Sequence, residues 1–205
     1  MNVLIMVLSS KKPPYDMLEQ AQRETWDSVN VEGVSTHYYY GNDYNMMHHA
    51  FKLALQEVWD KNWDVIFRTN SSTYVRKDRI KKYVERINIS GNLYSGFSTG
   101  SMISGTGILL NRNTASILLH ELDEYPSPSE DCLIGSILIK HGVYPKQALT
   151  RKHYNFQENI IEDADYYRCK SEIKMDGTFG HENLDRTYDV KAMKHLFKHF
   201  TTFNT

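Results

Sequence analysis

The chain has 205 residues, a formal net charge of -1, 40% hydrophobic residues and 24% charged residues. This length supports one sizeable core, and the composition is typical of an ordinary globular protein. Because the net charge is close to zero, no global field favours nucleic acid or an anionic membrane, and neither is predicted as a partner.

The first half of the sequence alternates between strand and helix patterns. Residues 3–8 form an unbroken apolar run, which is typical of a strand covered on both faces. Further strands are predicted at 34–40 and 63–69, and helices at 15–27, 44–59 and 77–87. This alternation predicts right-handed crossovers and a mostly parallel sheet between two helical layers.

The middle of the sequence is patterned differently. Residues 93–111 contain four glycines between two strand-like ends and show no helical period. We therefore expect extended segments here that lead into a functional site. Asn113 and Thr114 are predicted to cap a helix that continues through Leu122.

A second capped helix is predicted in "PSPSEDCLIGSILIKHG". Ser127 fits the N-cap, Pro128 the first helical position, and Glu130 the reciprocal partner of a capping box. Gly142 is expected to end the helix, because glycine readily adopts the left-handed conformation that closes many helices.

The remaining residues predict a short strand, an irregular stretch and a last helix. The strand falls near 143–149, residues 150–186 are polar and irregular, and the helix starts at about Asp189. Since no repeat, linker or low-complexity tract interrupts the chain, we predict one domain over 1–205.

Targeting signals and cysteine usage bear on where the protein resides. No apolar run is long enough to span a membrane, and the opening residues lack the basic start and cleavage region of a signal peptide. Cys132 and Cys169 lie far apart in sequence, which favours a reducing compartment. We therefore predict a cytoplasmic protein with no transmembrane segment.

Small and polar residues follow three of the predicted strands. These strand ends are Ser9-Ser10, Gly41-Asn42-Asp43 and Thr69-Asn70-Ser71-Ser72. In open α/β sheets, ligands bind outside the carboxyl ends of the strands. Turn and capping preferences explain each turn taken alone, but the three together indicate a nucleotide-type site.

Six short segments follow one another in a characteristic order: "VLIMVLSS", "QRETWDS", "AFKLALQEVW", "FRTNSSTYV", "SGTGILLNRN" and "SEDCLIGSILIKHGV". In this order they resemble glycosyltransferase family 31 and the Fringe-like enzymes. The tail, with "RKHYNF" and "YYRCK", is more similar to small bacterial or viral transferases of this type. The resemblance implies the GT-A fold, a Rossmann-like three-layer α/β/α sandwich with a mostly parallel mixed central sheet. It also implies a nucleotide-binding half at about 1–92 and an acceptor-side half at about 93–205.

The resemblance implies an inverting glycosyltransferase. Such an enzyme would move a sugar from a nucleoside diphosphate donor to a hydroxyl of a glycan or glycolipid. The expected donor is a UDP-sugar. Asp131 matches the family's acidic position near the acceptor. At a helix N-terminus its carboxylate should stay ionised and could accept the hydroxyl proton as a general base. Glu130 is the less favoured base, and Gly105 and Gly107 would let the backbone approach the sugar or acceptor.

The donor side is assigned to polar strand ends and to residues of the tail. These predicted donor-binding residues are Ser9, Asp43, Arg68, Thr69, Asn70, Ser71, Ser72, His153, Arg168 and Lys170.

The resemblance also implies a divalent cation, Mn²⁺ or Mg²⁺, that bridges the donor phosphates. Family members hold it with acidic residues, whereas this chain has Asn70, Ser71 and Ser72, whose neutral oxygens are poor ligands for these ions. Asp43 or His153 could hold the metal instead. Alternatively, protein cations could replace it, the candidates being Arg68, Arg168, Lys170 and Arg186.

Two other functions compete with transfer. Loss of the acidic cluster would also suit a non-catalytic nucleotide- or glycan-binding module derived from a transferase. A sugar nucleotidyltransferase is disfavoured, because no glycine-rich, lysine-bearing phosphate loop follows the first strand.

Overall fold

The structure, a computed structural model, describes residues 1–41, 47–122, 129–154, 159–170 and 186–202. In these ranges the strands are β1 (Val3–Ser9), β2 (Val34–Tyr40), β3 (Val65–Asn70), β4 (Thr73–Val75), β5 (Tyr94–Ser98), β6 (Ile103–Asn111), β7 (Lys146–Gln147), β8 (Arg151–His153) and β9 (Tyr166–Arg168). The helices are α1 (Tyr15–Glu24), α2 (Met47–Val58), α3 (Lys77–Val84), α4 (Arg112–Glu121), α5 (Glu130–Lys140) and α6 (Thr187–Thr202).

A six-stranded sheet in the order β2-β1-β3-β6-β5-β7 forms the centre of the molecule. β1 pairs in parallel with both β2 and β3, and β7 pairs in parallel with β5. β6 is antiparallel to its neighbours β3 and β5. One strand therefore opposes the other five, which confirms the predicted mostly parallel mixed sheet.

The alternating side chains of β1 show how the sheet is covered. Val3, Ile5 and Val7 face a core that includes α1, α3 and α6. Leu4 and Met6 face a second core that includes α2, α4 and α5. Since both faces of β1 are buried, its sequence is apolar without alternation. The predicted three-layer α/β/α arrangement is confirmed.

A second, three-stranded sheet in the order β4-β9-β8 packs on the first of these cores. Its β9 places Tyr166 against Phe67 of the central sheet, with ring centroids 5.6 Å apart. The prediction that 150–186 is irregular is therefore wrong for the described part of that stretch, which contains β8 and β9. Strands of three residues are too short to show a recognisable period.

Helix starts differ from the predictions at two caps. α4 is capped by Asn111, not by Asn113: the Asn111 side chain accepts from the Thr114 backbone N–H, and Thr114 Oγ1 accepts from the Asn111 N–H. α5 begins at Glu130 with Ser129 as its N-cap, so Glu130 is not the third helical residue of a capping box. The predicted cap residues 127 and 128 lie outside the described residues.

Smaller differences concern other helix ends. α1 ends at Glu24 and is followed by a 3-10 turn, Trp26–Ser28. α6 starts at Thr187, slightly before the predicted start. Gly142 follows α5 with φ +73°, as expected for a closing glycine.

None of the helices in the described ranges combines the length and the apolar character that crossing a bilayer requires. Cys132 and Cys169 are both free thiols.

Candidate functional site

The carboxyl ends of β1 and β3 meet beside a pocket of about 550 Å³, a volume typical of small-molecule sites. The Ser71 backbone N–H donates to Leu8 O at 3.0 Å, and the Gly41 N–H donates to Ser9 O at 3.1 Å. These bonds join the polar ends of neighbouring strands, as the sequence predicted from their order. Asp43, which was predicted to contribute from the end of β2, lies outside the described residues.

A buried ion pair forms the floor of this pocket. Arg68 of β3 donates from Nε and Nη2 to the two oxygens of Glu130, both at 2.8 Å, and each side chain is 4% exposed. Tyr39 Oη lies 3.0 Å from Arg68 Nε and donates to Glu130 at 3.2 Å. The three residues join β2, β3 and the first turn of α5.

All three nitrogens of the Arg68 guanidinium donate to groups of the protein. Burial by itself lowers its pKa, but the carboxylate of Glu130 and the hydroxyl of Tyr39 raise it above the usual range for arginine. Its Nη1 donates to the Gly105 carbonyl. Arg68 therefore lies at the pocket, as predicted, but with its three nitrogens bonded to protein groups instead of pointing to a donor phosphate.

Asp131 lines the same pocket at the second position of α5. Its Oδ2 accepts from the Gly105 N–H at 2.9 Å, while Oδ1 accepts from Ser129 Oγ and from the Cys132 N–H. Burial would raise the pKa of Asp131, but these hydrogen bonds and the charge of Arg68 outweigh it and hold the pKa below the usual value. The carboxylate is therefore ionised at neutral pH.

Gly105 connects the guanidinium of Arg68 to the carboxylate of Asp131. An added Cβ at this position would lie 2.8 Å from Arg68 Nη1 and 3.0 Å from Asp131 Oδ2. Only a residue without a side chain allows the backbone to accept from Arg68 and donate to Asp131 at once. Two hydrogen bonds to Gly105 of β6 therefore join the pocket floor to Asp131.

Three basic residues also line the pocket: Arg168 at the end of β9, Lys170 just after it, and Arg186 just before α6. Arg186 is 8% exposed, and its Nε donates at 2.6 Å to Asp189, which is fully buried. The pKa of Arg168 is lowered, first by burial and then by the charge of Arg186. This basic wall, defined by Arg168, Lys170 and Arg186, places positive charge beside the polar strand ends.

We expect Lys170 to titrate well below an ordinary lysine. Burial first, and then the charges of Arg168 and Arg186, lower its pKa to about 8, although Asp189 acts in the opposite direction. NMR of ¹³C-methylated lysines should show one resonance that titrates near pH 8, against about 10.4 for a model lysine, and Lys170→Arg should remove it. A midpoint near 10.4 for that resonance would contradict the expectation.

The end of β3 is a closed polar turn. Asn70 Oδ1 accepts from the Ser72 N–H at 3.2 Å and from the hydroxyls of Ser72 and Thr73, both at 3.1 Å. Ser71 and Ser72 line the pocket beside it. Ser9 also lines the pocket, and its Oγ is buried without a hydrogen-bond partner in the described structure.

Three predicted site residues lie away from the pocket lining. Thr69 is fully buried, and its hydroxyl donates to Thr106 O at 2.7 Å. Gly107 packs beneath the ring of Tyr166. His153 is exposed on β8, where it pairs in register with Arg168.

Gly107→Ala should therefore act on stability. The added Cβ would lie 2.5 Å from Cζ and Oη of the buried Tyr166, so the ring or the strand must shift. Overpacking of this kind costs about 1–3 kcal/mol. In chemical denaturation, Gly91→Ala is the matched control, because an added Cβ there has no atom within 4 Å. Equal unfolding free energies for the two variants would contradict the prediction.

Several pocket residues were missed from the sequence. Lys12 and Tyr15 follow β1, and Ser104 and Thr106 flank Gly105 on β6. The alternation of small residues in "SGTG" was the available signal for the second pair, since alternate residues of a strand share one face. Lys12 and Tyr15 carried no signal beyond their position after the first strand.

The sequence matches no protein-family model and no curated protein. Among solved structures, the chain is similar to that described as "Crystal structure of a glycosyltransferase involved in the glycosylation of the major capsid of PBCV-1". The TM-score is 0.62 at 15% sequence identity, over 95% of this chain and 100% of that chain. The chain therefore has the fold of a glycosyltransferase.

Proposed function

We propose that the protein is an inverting glycosyltransferase that moves a sugar from a UDP-sugar to a hydroxyl of a glycan or glycolipid. The observation that carries this proposal is the composition of the pocket. An ionised carboxylate, Asp131, shares a cavity at the carboxyl ends of β1 and β3 with the basic wall. A sugar transfer needs a base for the acceptor and positive charge for the leaving phosphate.

The donor would lie across the strand ends. Its nucleoside would contact the end of β1, where Ser9 and Ser10 line the pocket, and the turn after β3. Its diphosphate would lie against the basic wall, since guanidinium and ammonium groups bind phosphate oxygens through strong charge-assisted hydrogen bonds. The sugar would then point towards Gly105 and Asp131.

The chemical step is a single displacement. Asp131 accepts the proton of the acceptor hydroxyl while that oxygen forms a bond to the anomeric carbon of the sugar. The bond from this carbon to the phosphate oxygen breaks, and its electron pair stays on the nucleoside diphosphate. Attack from the side opposite the leaving group inverts the anomeric configuration. Arg168, Lys170 and Arg186 stabilise the charge that develops on the leaving group.

The fold supports the proposal at a coarser level. The solved structure with which the chain shares its fold is that of a glycosyltransferase involved in the glycosylation of the major capsid of PBCV-1. Membership of glycosyltransferase family 31 and a Fringe-like specificity stay predictions from the sequence segments, as do the two functional halves of the chain.

A donor-hydrolysis assay tests the proposal without knowledge of the acceptor. The protein is incubated with a panel of UDP-sugars, each with Mn²⁺ and with EDTA, and released UDP is measured. Release of UDP from one or a few of the sugars is the expected result. Binding of UDP without turnover of any donor or transfer to any glycan would favour the non-catalytic module, for which the neutral sequence of Asn70 to Ser72 is the supporting observation.

A further inference from the structure

The turn after β3 has little capacity to bind a metal ion. A side-chain carbonyl has two lone pairs, and Asn70 Oδ1 already accepts from the Ser72 backbone, the Ser72 hydroxyl and the Thr73 hydroxyl. The Ser72 carbonyl accepts from the Cys169 N–H at 2.9 Å. At the place where the family resemblance implies a metal site, Asn70 Oδ1 and the Ser72 carbonyl are therefore already bonded to protein groups, and the serine hydroxyls offer only neutral oxygens.

The two carboxylates of the pocket have other roles. Both oxygens of Glu130 accept from Arg68. Asp131 keeps a lone pair on Oδ2, which accepts one hydrogen bond, but the proposed function assigns that lone pair to the acceptor proton. Among the residues that the structure describes, no group of three His, Cys, Asp or Glu side chains is placed to hold an ion. Mg²⁺ and Mn²⁺ require hard oxygen ligands that are free to coordinate, so the donor set described here does not fit such an ion.

Positive charge is instead supplied by the protein. The basic wall brings two guanidinium groups and one ammonium group to a partly buried surface of the same pocket. Its members are held on different elements: Arg168 and Lys170 at the end of β9, and Arg186 through its bond to the buried Asp189 at the start of α6. Holding like charges together is unfavourable: the pKa of Lys170 is lowered first by burial and then by the charges of Arg168 and Arg186. A bound anion would relieve this repulsion.

We propose that the pocket binds the diphosphate of its nucleotide directly through Arg168, Lys170 and Arg186, with no divalent cation between them. This rests on the proposed function, because it takes the ligand to be a nucleoside diphosphate. The three cations then carry out the electrostatic role that a bridging metal has in the enzymes that this sequence resembles. They stabilise the diphosphate in the bound donor and, more strongly, as it leaves with an additional negative charge.

Calorimetric titration with UDP tests the absence of a metal. We expect the dissociation constant in EDTA and in Mn²⁺ to agree within about twofold. A loss of about tenfold or more in EDTA would overturn the proposal. It would indicate that an ion is held by a residue such as Asp43, outside the described ranges. Inorganic pyrophosphate, titrated in EDTA, should compete with UDP if the site recognises the diphosphate itself.

Variants test the role of the cations. Lys170→Met keeps the length of the side chain and removes its charge, and the loss of a charge-assisted contact should weaken UDP binding about tenfold. Binding of uridine, which lacks phosphates, should not change, and Lys170→Arg should retain most of the UDP affinity. Lys82→Met, at an exposed lysine on α3, is the matched control. The proposal would be overturned if Lys170→Met lost equal affinity for UDP and uridine, or lost no affinity for UDP.

These results separate the proposal from the function on which it rests. UDP binding in EDTA that depends on Lys170, with no turnover of any donor, would support the metal-free diphosphate site and contradict the transferase. Sugar transfer that requires Mn²⁺ would support the transferase and contradict the metal-free site.

Discussion

Asp131→Asn should remove sugar transfer while leaving UDP binding nearly intact. A positioned general base contributes about 10²- to 10⁴-fold to a rate, and asparagine cannot accept the hydroxyl proton. The loss should fall on kcat, because the carboxylate acts on the acceptor as the new bond forms. The amide oxygen of asparagine can still accept from the Gly105 N–H, which in the native protein donates to Asp131 at 2.9 Å. The amide nitrogen would replace Oδ1, where it can donate to the Ser129 hydroxyl but cannot accept from the Cys132 N–H. Because the bond to Gly105 is kept, we expect the pocket to keep its shape.

The measurement is UDP release or product formation, with UDP affinity by calorimetry as the second readout. Asp78→Asn on α3 is the matched control, because that side chain is 59% exposed and pairs only at the surface with Arg76. Unchanged turnover in Asp131→Asn would remove Asp131 from the mechanism. Loss of UDP binding and turnover together would assign it a structural role.

Arg68→Met should be among the most destabilising single substitutions in the chain. It leaves the carboxylate of Glu130 without its partner at a position where the side chain is 4% exposed. Removing one member of a buried ion pair typically costs about 3–5 kcal/mol, since the other charge stays buried and uncompensated. For a chain of this size, that corresponds to a fall in Tm of roughly 6–20 °C.

Two companion variants show whether charge is the cause. Arg68→Met with Glu130→Gln removes both charges, and Tyr39 can still donate to the amide oxygen, so part of the unfolding free energy should return. Arg23→Met removes a surface pair with Glu19, where Arg23 is 51% exposed, and should cost no more than about 1 kcal/mol. Denaturant unfolding measures all three. A cost for Arg68→Met no larger than that for Arg23→Met would contradict the prediction.

The buried pair also matters for the site. Arg68 bonds to the Gly105 carbonyl, and the Gly105 N–H bonds to Asp131, so the pocket floor determines where the proposed base lies. Glu130 belongs to this floor and Asp131 to the pocket surface, although they are adjacent in sequence. The preference for Asp131 as base rested on a capping role for Glu130, which was wrong. The geometry favours the same residue for another reason, since Glu130 is committed to Arg68.

The layered fold could be predicted because its signals are local. Burial of β1 on both faces requires apolar residues at every position, and the residues at Val3 to Val7 show this directly. The helical period at residues 77–87 likewise predicted α3. Polar strand ends at Ser9 and Asn70 predicted the pocket, because parallel neighbouring strands bring their carboxyl ends together.

Other features depend on contacts between distant residues and left little local signal. α5 begins after its N-cap Ser129, and its first residue, Glu130, turns inward to Arg68, 62 residues earlier in the chain. β8 and β9 are short strands that exist only because they pair with each other and with β4. Neither effect could be read from the period of the surrounding residues.

The sequence by itself determined the order of strands and helices, the covered parallel sheet and the edge at which a ligand site would form. These follow from hydrophobic period and turn chemistry, which act over a few residues. Only the tertiary structure decided which charges face the pocket. It buried Arg68 against Glu130 and left Asp131 half-buried and ionised in the pocket lining. It also brought Arg186, just before α6, to the same pocket as Arg168 at the end of β9 and Lys170 just after it. The residues around a charged side chain in three dimensions decide whether it forms a buried ion pair or lines the pocket. Local sequence does not specify those residues.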